Sequence, residues 1–147
     1  MQKSQTSHLL VAGQLGCVAL CCYPQGWQNL GSPWWLALCA AGALLGVVVL
    51  IFNRPGNFSI YPEVREGASL ITEGPYRWVR HPMYTALMLM MIGVAGYNGH
   101  TINYAAASML IVIVVTKAFR EEKLLPQVFP EYPAYARTTK RFIPHAL

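Results

Sequence analysis

Long apolar runs alternate with short polar segments along the chain, and the runs have the length of membrane-spanning helices. The clearest run covers residues 33–52: it has no charged residue, and Trp34 and Trp35 stand near its start. Twenty residues rising about 1.5 Å each cross a hydrocarbon layer of about 30 Å, and tryptophan is enriched where such helices meet the membrane surface. The pattern predicts a transmembrane helix here.

Three further apolar runs predict three more helices. They cover residues 9–23 (8–27 if Gln14 and Gln25 are included), 83–97 and 102–119. The last two runs are separated by Asn98-Gly99-His100-Thr101, and because Asn-Gly is a turn signal we expect an antiparallel helical hairpin. The shorter runs either tilt little or lie partly in the membrane interface. The predicted fold is therefore an all-α, integral membrane helical bundle of about four spans.

The composition agrees with a membrane protein of one domain. The 147 residues suffice for a single domain, and 54% of them are hydrophobic while only 12% are charged. A soluble domain of this size could not bury so much apolar surface in one core. We expect residues 1–52 to form two spans with little polar chemistry, and residues 53–144 to form a core that holds nearly every charged group.

The positive charges indicate an orientation. In the four-span topology all eleven Lys and Arg residues fall on one side, which the positive-inside rule assigns to the cytosol together with both termini. They are Lys3, Arg54, Arg65, Arg77, Arg80, Lys117, Arg120, Lys123, Arg137, Lys140 and Arg141. We assign the net charge of +5 to contact with anionic membrane lipids and not to nucleic acid, because no basic helix or aromatic-basic array is present.

The N-terminus leaves two alternatives open, a signal peptide or a lipoprotein site at Cys21. The bulky Leu20 and the membrane character of the rest of the chain argue against cleavage. All four cysteines fall within predicted spans without metal-ligand spacing. We expect inert buried thiols and no metal site.

The first polar cluster precedes the third predicted helix. Prolines and glycines in residues 53–80 predict a structured cytosolic loop with no long helix, and the chain then reads Gly74-Pro75-Tyr76-Arg77-Trp78-Val79-Arg80-His81-Pro82-Met83-Tyr84. Proline is favoured in the first turn of a helix, so Pro82 places His81 and Tyr84 at a helix N-terminus, where anions are stabilised. Alone, these residues also fit simple interface anchors.

The second cluster is Lys117-Ala118-Phe119-Arg120-Glu121-Glu122 at the end of the fourth run. Alone, it also fits a solvated helix end with Lys117 and Arg120 extended to lipid phosphates. Counted from the hairpin turn, Pro82 lies about 17 residues down one helix and Glu121 about 21 down the other, a difference in depth of about 6 Å. We therefore expect the two clusters to share one pocket with an anion-binding end and a cation-binding end.

This polarity suits S-adenosylmethionine, which carries a carboxylate, an ammonium and a sulfonium group. Methyl transfer needs alignment and exclusion of water more than covalent help from the protein. Aromatic faces such as those of Tyr76 and Tyr84 bind a desolvated cation with about 1–2 kcal/mol.

Several motifs in order resemble the isoprenylcysteine carboxyl methyltransferase and phospholipid methyltransferase superfamily of integral membrane enzymes. Residues 67–84, GASLITEGPYRWVRHPMY, are similar to its loop and R-H-P-x-Y motif, and Glu121-Glu122-Lys123-Leu124-Leu125 to its E-E-x-x-L motif. The C-terminal similarity lies in Phe129-Pro130-Glu131-Tyr132, Tyr135 and Arg141-Phe142-Ile143-Pro144. The resemblance covers residues 53–144.

The resemblance implies S-adenosylmethionine as cofactor and a role for each matching residue. The implied cofactor-binding residues are Ser69, Leu70, Ile71, Tyr76, His81, Pro82, Met83, Tyr84, Glu121 and Glu122. Lys117, Glu131 and Arg137 are the implied catalytic residues, which would orient the acceptor. The Gly-x-Gly signature of the phospholipid branch is not visible, and the segment from Phe129 to Tyr132 is one residue tighter than common.

The implied acceptor is lipophilic or membrane-associated, and the methylated atom is a carboxylate oxygen, a thiol or a lipid amine. Two alternatives stay open: an NADPH-dependent membrane reductase of the sterol-reductase type, which has a similar R-H-P-x-Y region, and a non-catalytic membrane partner protein. The sequence does not indicate an oligomeric state.

Overall fold

The computed structural model of the chain describes residues 4–23, 31–53, 57, 59–64 and 67–144. Five α-helices occur in these residues: α1 (Gln5–Cys22), α2 (Trp34–Phe52), α3 (Pro82–Asn98), α4 (Thr101–Val128) and α5 (Tyr132–Thr138). A short 3₁₀ helix covers Gly74–Arg77, and one isolated β-bridge joins Val79 to Lys140. The predicted all-α helical membrane bundle is confirmed.

Three of the helices, α1, α2 and α4, are long and apolar enough to cross a membrane. In α2 only Gly42 and Val49 are buried, and large side chains such as Leu44 and Ile51 point away from the protein. Such a broad apolar surface is what lipid-facing helices present. The 17 residues of α3 rise roughly 25 Å, so its crossing as a fourth span stays a prediction, as does the orientation of the termini.

Close contact between backbones joins α2 to α3. A Cβ atom added at Gly42 would lie 2.6 Å from the Met90 amide nitrogen, and one at Gly93 would lie 2.5 Å from the Cys39 amide nitrogen. At such distances only the hydrogen atom of a glycine fits. Glycine at these positions therefore allows the close approach of the two helices, as small residues do between helices of membrane proteins.

The other side of α3 packs against α4 and α1 around a core of small and medium side chains. Cys17, Cys21, Met91, Ala95, Ala106, Ala107, Leu110 and Val114 form this core. Gly99 ends α3 with a positive φ of 73°, and α4 starts at Thr101, which confirms the predicted hairpin. The expectation of buried cysteines holds for Cys17 and Cys21, whereas Cys39 is half-buried and Cys22 is exposed.

Helix α4 runs nine residues further than the predicted span, to Val128, and includes Pro126. A proline in the last turn removes only one backbone hydrogen bond, so the helix tolerates it. The chain then turns, and Pro133 lies in the first turn of α5, where its missing N–H has no cost.

Candidate functional site

The segment before α3 is held by the C-terminal part of the chain. The amide of Arg80 donates to the Lys140 carbonyl at 2.7 Å, and the amide of His81 donates to the Arg141 carbonyl at 3.0 Å. Gly74 starts the preceding turn with φ 58° against the Phe52 ring, a conformation that side-chain-bearing residues rarely adopt. These contacts fix His81 at the N-cap of α3.

A cavity of about 340 Å³ lies beside this segment, enclosed by the loop, the start of α3, the end of α4, and α5. Of the ten residues implied to bind cofactor, nine line it: Ser69, Leu70, Ile71, Tyr76, His81, Pro82, Met83, Tyr84 and Glu121. The loop residues are held in place because the Ser69 amide donates to Asn57 Oδ1 at 2.8 Å, and Asn57 Nδ2 donates to the Ser69 carbonyl at 3.0 Å.

The two polar clusters meet at Glu121. The Tyr84 hydroxyl donates to Glu121 Oε1, and His81 Nδ1 lies 3.3 Å from Glu121 Oε2. The His81 and Tyr84 rings stack with centroids 5.6 Å apart. The prediction that residues distant in sequence come together across the α3–α4 hairpin is therefore confirmed.

His81 is held between two carboxylates. Its Nε2 atom lies 3.3 Å from Glu122 Oε1, while Nδ1 faces Glu121. Burial lowers the pKa of His81, but the hydrogen bonds and charges of Glu121 and Glu122 outweigh it and raise the pKa above its usual value. Both ring nitrogens face acceptors, and only the protonated imidazolium donates from both of them, so this form fits the arrangement best.

Glu122 does not line the cavity. Its position therefore does not support the expected contact with the cofactor. Its carboxylate accepts a hydrogen bond from Arg80 Nε at 2.9 Å and another from Arg141 Nε at 2.8 Å. Arg80 Nη1 also donates to the Ala136 carbonyl of α5 at 3.0 Å. Glu122 thus ties α4 to the segment before α3 and to the C-terminal segment, and it orients His81.

Lys117 is fully buried and lines the cavity. Its ammonium donates to Gln14 Oε1 of α1 at 2.5 Å and to the Ile60 carbonyl at 2.6 Å, and it lies 5.4 Å from the centroid of the Tyr84 ring. The alternative in which Lys117 extends to lipid phosphates is therefore wrong. An ammonium has three N–H donors, and two of those of Lys117 have acceptors among the described residues.

Glu131 and Arg137 are exposed on α5, and neither lines the cavity. Glu131 occupies the N-cap of that helix, and Arg137 lies in its last turn. Their placement does not bring them to the acceptor position that the resemblance implies.

The sequence reading did not assign to the site several residues that line the cavity, among them Gln14, Glu63, Tyr132 and Tyr135. Gln14 carried a signal, since a polar residue within an apolar run is costly unless it has a partner. Glu63 Oε1 accepts from the Ser4 amide at 3.3 Å and from the Ser7 hydroxyl, which joins the loop to the start of α1. Nothing in the sequence around Glu63 indicated that contact.

The residues present fit S-adenosylmethionine. The cavity volume lies within the range of about 300–1,000 Å³ that is usual for small-molecule sites. Glu121 provides a carboxylate for the cationic groups, and Tyr76 and Tyr84 add aromatic faces. Two buried atoms of the lining, Glu63 Oε2 and the Tyr132 hydroxyl, have no hydrogen-bond partner among the described residues, as expected where a ligand supplies the partner.

Within the part of the chain that the structure describes, no three His, Cys, Asp or Glu side chains form a group that could hold a metal ion. Two relatives are nevertheless named for metal resistance. The cobalt-zinc-cadmium resistance protein CzcN of Cupriavidus metallidurans is 29% identical over 120 residues, which cover 81% of this chain and 55% of the relative. The nickel-cobalt-cadmium resistance protein NccN of Alcaligenes xylosoxydans xylosoxydans is 28% identical, with coverage of 81% and 56%.

The chain thus spans a little over half the length of these two relatives. A family model described as phospholipid methyltransferase matches residues 34–132, which contain α2, α3, α4 and most of the cavity lining. Because this match extends over more than half of the sequence, the chain belongs to the phospholipid methyltransferase family.

Proposed function

We propose that the chain is an integral membrane enzyme that transfers a methyl group from S-adenosylmethionine to a lipophilic or membrane-associated acceptor. The observation that carries the proposal is the junction of Tyr84, His81 and Glu121 inside the cavity. This junction places a carboxylate, an imidazole and aromatic faces together at one end of two apolar helices, in a chain of a methyltransferase family.

The cavity residues hold the cofactor by charge and shape. Glu121 attracts the ammonium group, and the faces of Tyr76 and Tyr84 flank the sulfonium. The first-turn amides of α3, together with His81, favour the carboxylate. The cofactor supplies the methyl group, and the protein aligns it with the acceptor and keeps water out.

The acceptor is an amphiphile, because the cavity lies at the end of apolar helices and its own lining is largely apolar. Its reacting atom is a carboxylate oxygen, a thiol or a lipid amine. In the carboxylate case, the positive charge of Lys117 in the cavity lining attracts the acceptor. Lys117→Ala then raises the KM for a carboxylate acceptor, and unchanged turnover and acceptor affinity would remove support for that acceptor class.

Calorimetry of the detergent-purified protein against S-adenosylhomocysteine and NADPH tests the cofactor. We expect S-adenosylhomocysteine to bind and NADPH not to bind. Binding of NADPH alone would favour a membrane reductase, and binding of neither would favour a non-catalytic partner.

Glu121→Gln tests the site itself. Loss of a charged hydrogen bond from the ligand is expected to weaken S-adenosylhomocysteine about 10- to 100-fold. Glu73→Gln is the matched control, because Glu73 is exposed and does not line the cavity. Equal affinities in the two variants would contradict the proposed site. Transfer of a tritiated methyl group into a total lipid extract then identifies the acceptor.

A further inference from the structure

A second, smaller cavity lies outside the proposed cofactor site, between the segment before α3 and the C-terminal segment. Its volume is about 260 Å³, and we call it the C-terminal cleft. The described residues that line it are Arg77, Trp78, Thr138, Lys140 and Pro144. Two of these five residues are cationic and none is acidic, so the lining of the cleft favours an anion.

The two cations of the cleft differ from the arginines next to them in sequence. Arg80 and Arg141 both donate to the Glu122 carboxylate, at 2.9 Å and 2.8 Å. Arg77 and Lys140 are exposed, and their side chains have no hydrogen-bond or ion-pair partner among the described residues. Their charges therefore remain available, and phosphate oxygens are strong acceptors for both kinds of donor.

The cleft lies at the level where the apolar part of α4 ends. Phe119 is the last residue of that apolar run, and the guanidinium carbon of Arg141 lies 4.4 Å from the centroid of its ring. Lys140 directly precedes Arg141. The side chains of Trp78 and Ile143 are 56% and 51% exposed in the same region. Exposed aromatic and basic side chains at the end of an apolar span are the groups that contact lipid headgroups.

Backbone hydrogen bonds hold the two walls of the cleft together. The Lys140 amide donates to the Trp78 carbonyl at 3.3 Å, and the Arg80 amide donates to the Lys140 carbonyl at 2.7 Å. The next bond of this pairing, from the His81 amide to the Arg141 carbonyl, fixes the N-cap of α3. The backbone of the cleft is therefore formed before a ligand arrives, which reduces the ordering cost of binding.

We propose that the C-terminal cleft binds the phosphate group of an anionic phospholipid of the bilayer, with Arg77 and Lys140 as its ligands. A lipid fits better than a soluble phosphate, because exposed apolar side chains of Trp78 and Ile143 flank the charges. The two cations disfavour a headgroup that carries its own ammonium. This inference is independent of the proposed function, since lipid binding requires neither cofactor nor acceptor.

Native mass spectrometry of the detergent-purified chain with dioleoyl phosphatidylglycerol or dioleoyl phosphatidylcholine tests the proposal. We expect phosphatidylglycerol to bind more tightly. Arg77→Gln and Lys140→Gln are each expected to raise the Kd of the first bound phosphatidylglycerol about 10-fold, as for loss of a hydrogen bond to a charged group. Lys123→Gln is the matched control with the same change in charge, because Lys123 is exposed and lines neither cavity. It is expected to leave this Kd unchanged.

Three results would overturn the proposal. Equal weakening in Lys123→Gln would show that net charge alone attracts the lipid, and an unchanged Kd in both cleft variants would show that it binds elsewhere. Competition by inorganic phosphate would assign the cleft to a soluble anion. All three variants replace exposed side chains, so their thermal midpoints without lipid are expected to match that of the unmodified chain. None of these results bears on the binding of S-adenosylhomocysteine.

Discussion

His81 is the residue on which the two halves of the site converge, since carboxylates of Glu121 and Glu122 face its two ring nitrogens and its ring stacks on Tyr84. Glu122 is in turn fixed by Arg80 and Arg141. A histidine in this setting is a proton-dependent link between α3 and α4. Its protonation state therefore affects both the stability of the fold and the shape of the cavity.

A pH dependence follows from the raised pKa of His81. The unfolded residue titrates near pH 6.5, so its stabilising contribution is complete below that pH and disappears as the pH rises through the higher pKa of the folded state. We expect the thermal midpoint of the unmodified chain to fall over this window more than that of His81→Gln, as measured in detergent by scanning fluorimetry. Parallel curves for the two proteins would contradict this role of His81.

At the level of single residues, the sequence predicted those parts of the site that simple helix geometry connects. Counting residues from the hairpin turn predicted that Tyr84 and Glu121 lie close together. The same geometry separates Glu121 from Glu122, because neighbouring residues on a helix point about 100° apart. Gln14 carried a signal as a polar residue in an apolar run, but its partner could not be predicted. Gln14 reaches Lys117, and Glu63 reaches Ser7, through contacts between segments more than fifty residues apart.

Among the helices, the α2–α3 pair offers the clearest test of packing. An added Cβ at Gly42 would lie 2.6 Å from the backbone of α3, whereas for one at Gly46 the nearest atom of a described residue would be the Ala86 Cβ at 3.8 Å, an ordinary contact. Gly42→Ala is expected to be less stable than Gly46→Ala by about 1–3 kcal/mol, the usual cost of overpacking.

Both variants gain the same helix propensity on the same helix, so their difference isolates the packing effect. The stability of each variant is measured from its unfolding equilibrium in a mixed-detergent titration, and the two free energies of unfolding are compared. Equal stability of the two variants would show that the close approach of α2 and α3 is not required.

The extent of the helices was predictable where apolar runs or turn residues mark it, as at Trp34 and Gly99. The end of α4 was not, because Pro126 lies in the last turn and costs only one hydrogen bond, so the helix continues past the polar cluster to Val128. This extension places Leu125 in the cavity wall beside Glu121.

For the whole molecule, the account predicts four crossings with both termini on the cytosolic side. A green fluorescent protein fused after Leu147 should fluoresce in a bacterial host, and alkaline phosphatase inserted at the α3–α4 turn, at Gly99, should be active. Alkaline phosphatase activity at the C-terminus, or none at the turn, would contradict this topology. The charge distribution that supports this prediction is independent of the cavity.

The central claim is that the two polar clusters form a single cofactor site. Ultraviolet crosslinking of labelled S-adenosylmethionine to the membrane-embedded protein, followed by peptide mapping, tests it most directly. The account predicts label on residues 67–84 or 117–135, suppressed by S-adenosylhomocysteine. Label confined to peptides outside the cavity, or label that S-adenosylhomocysteine does not suppress, would contradict it.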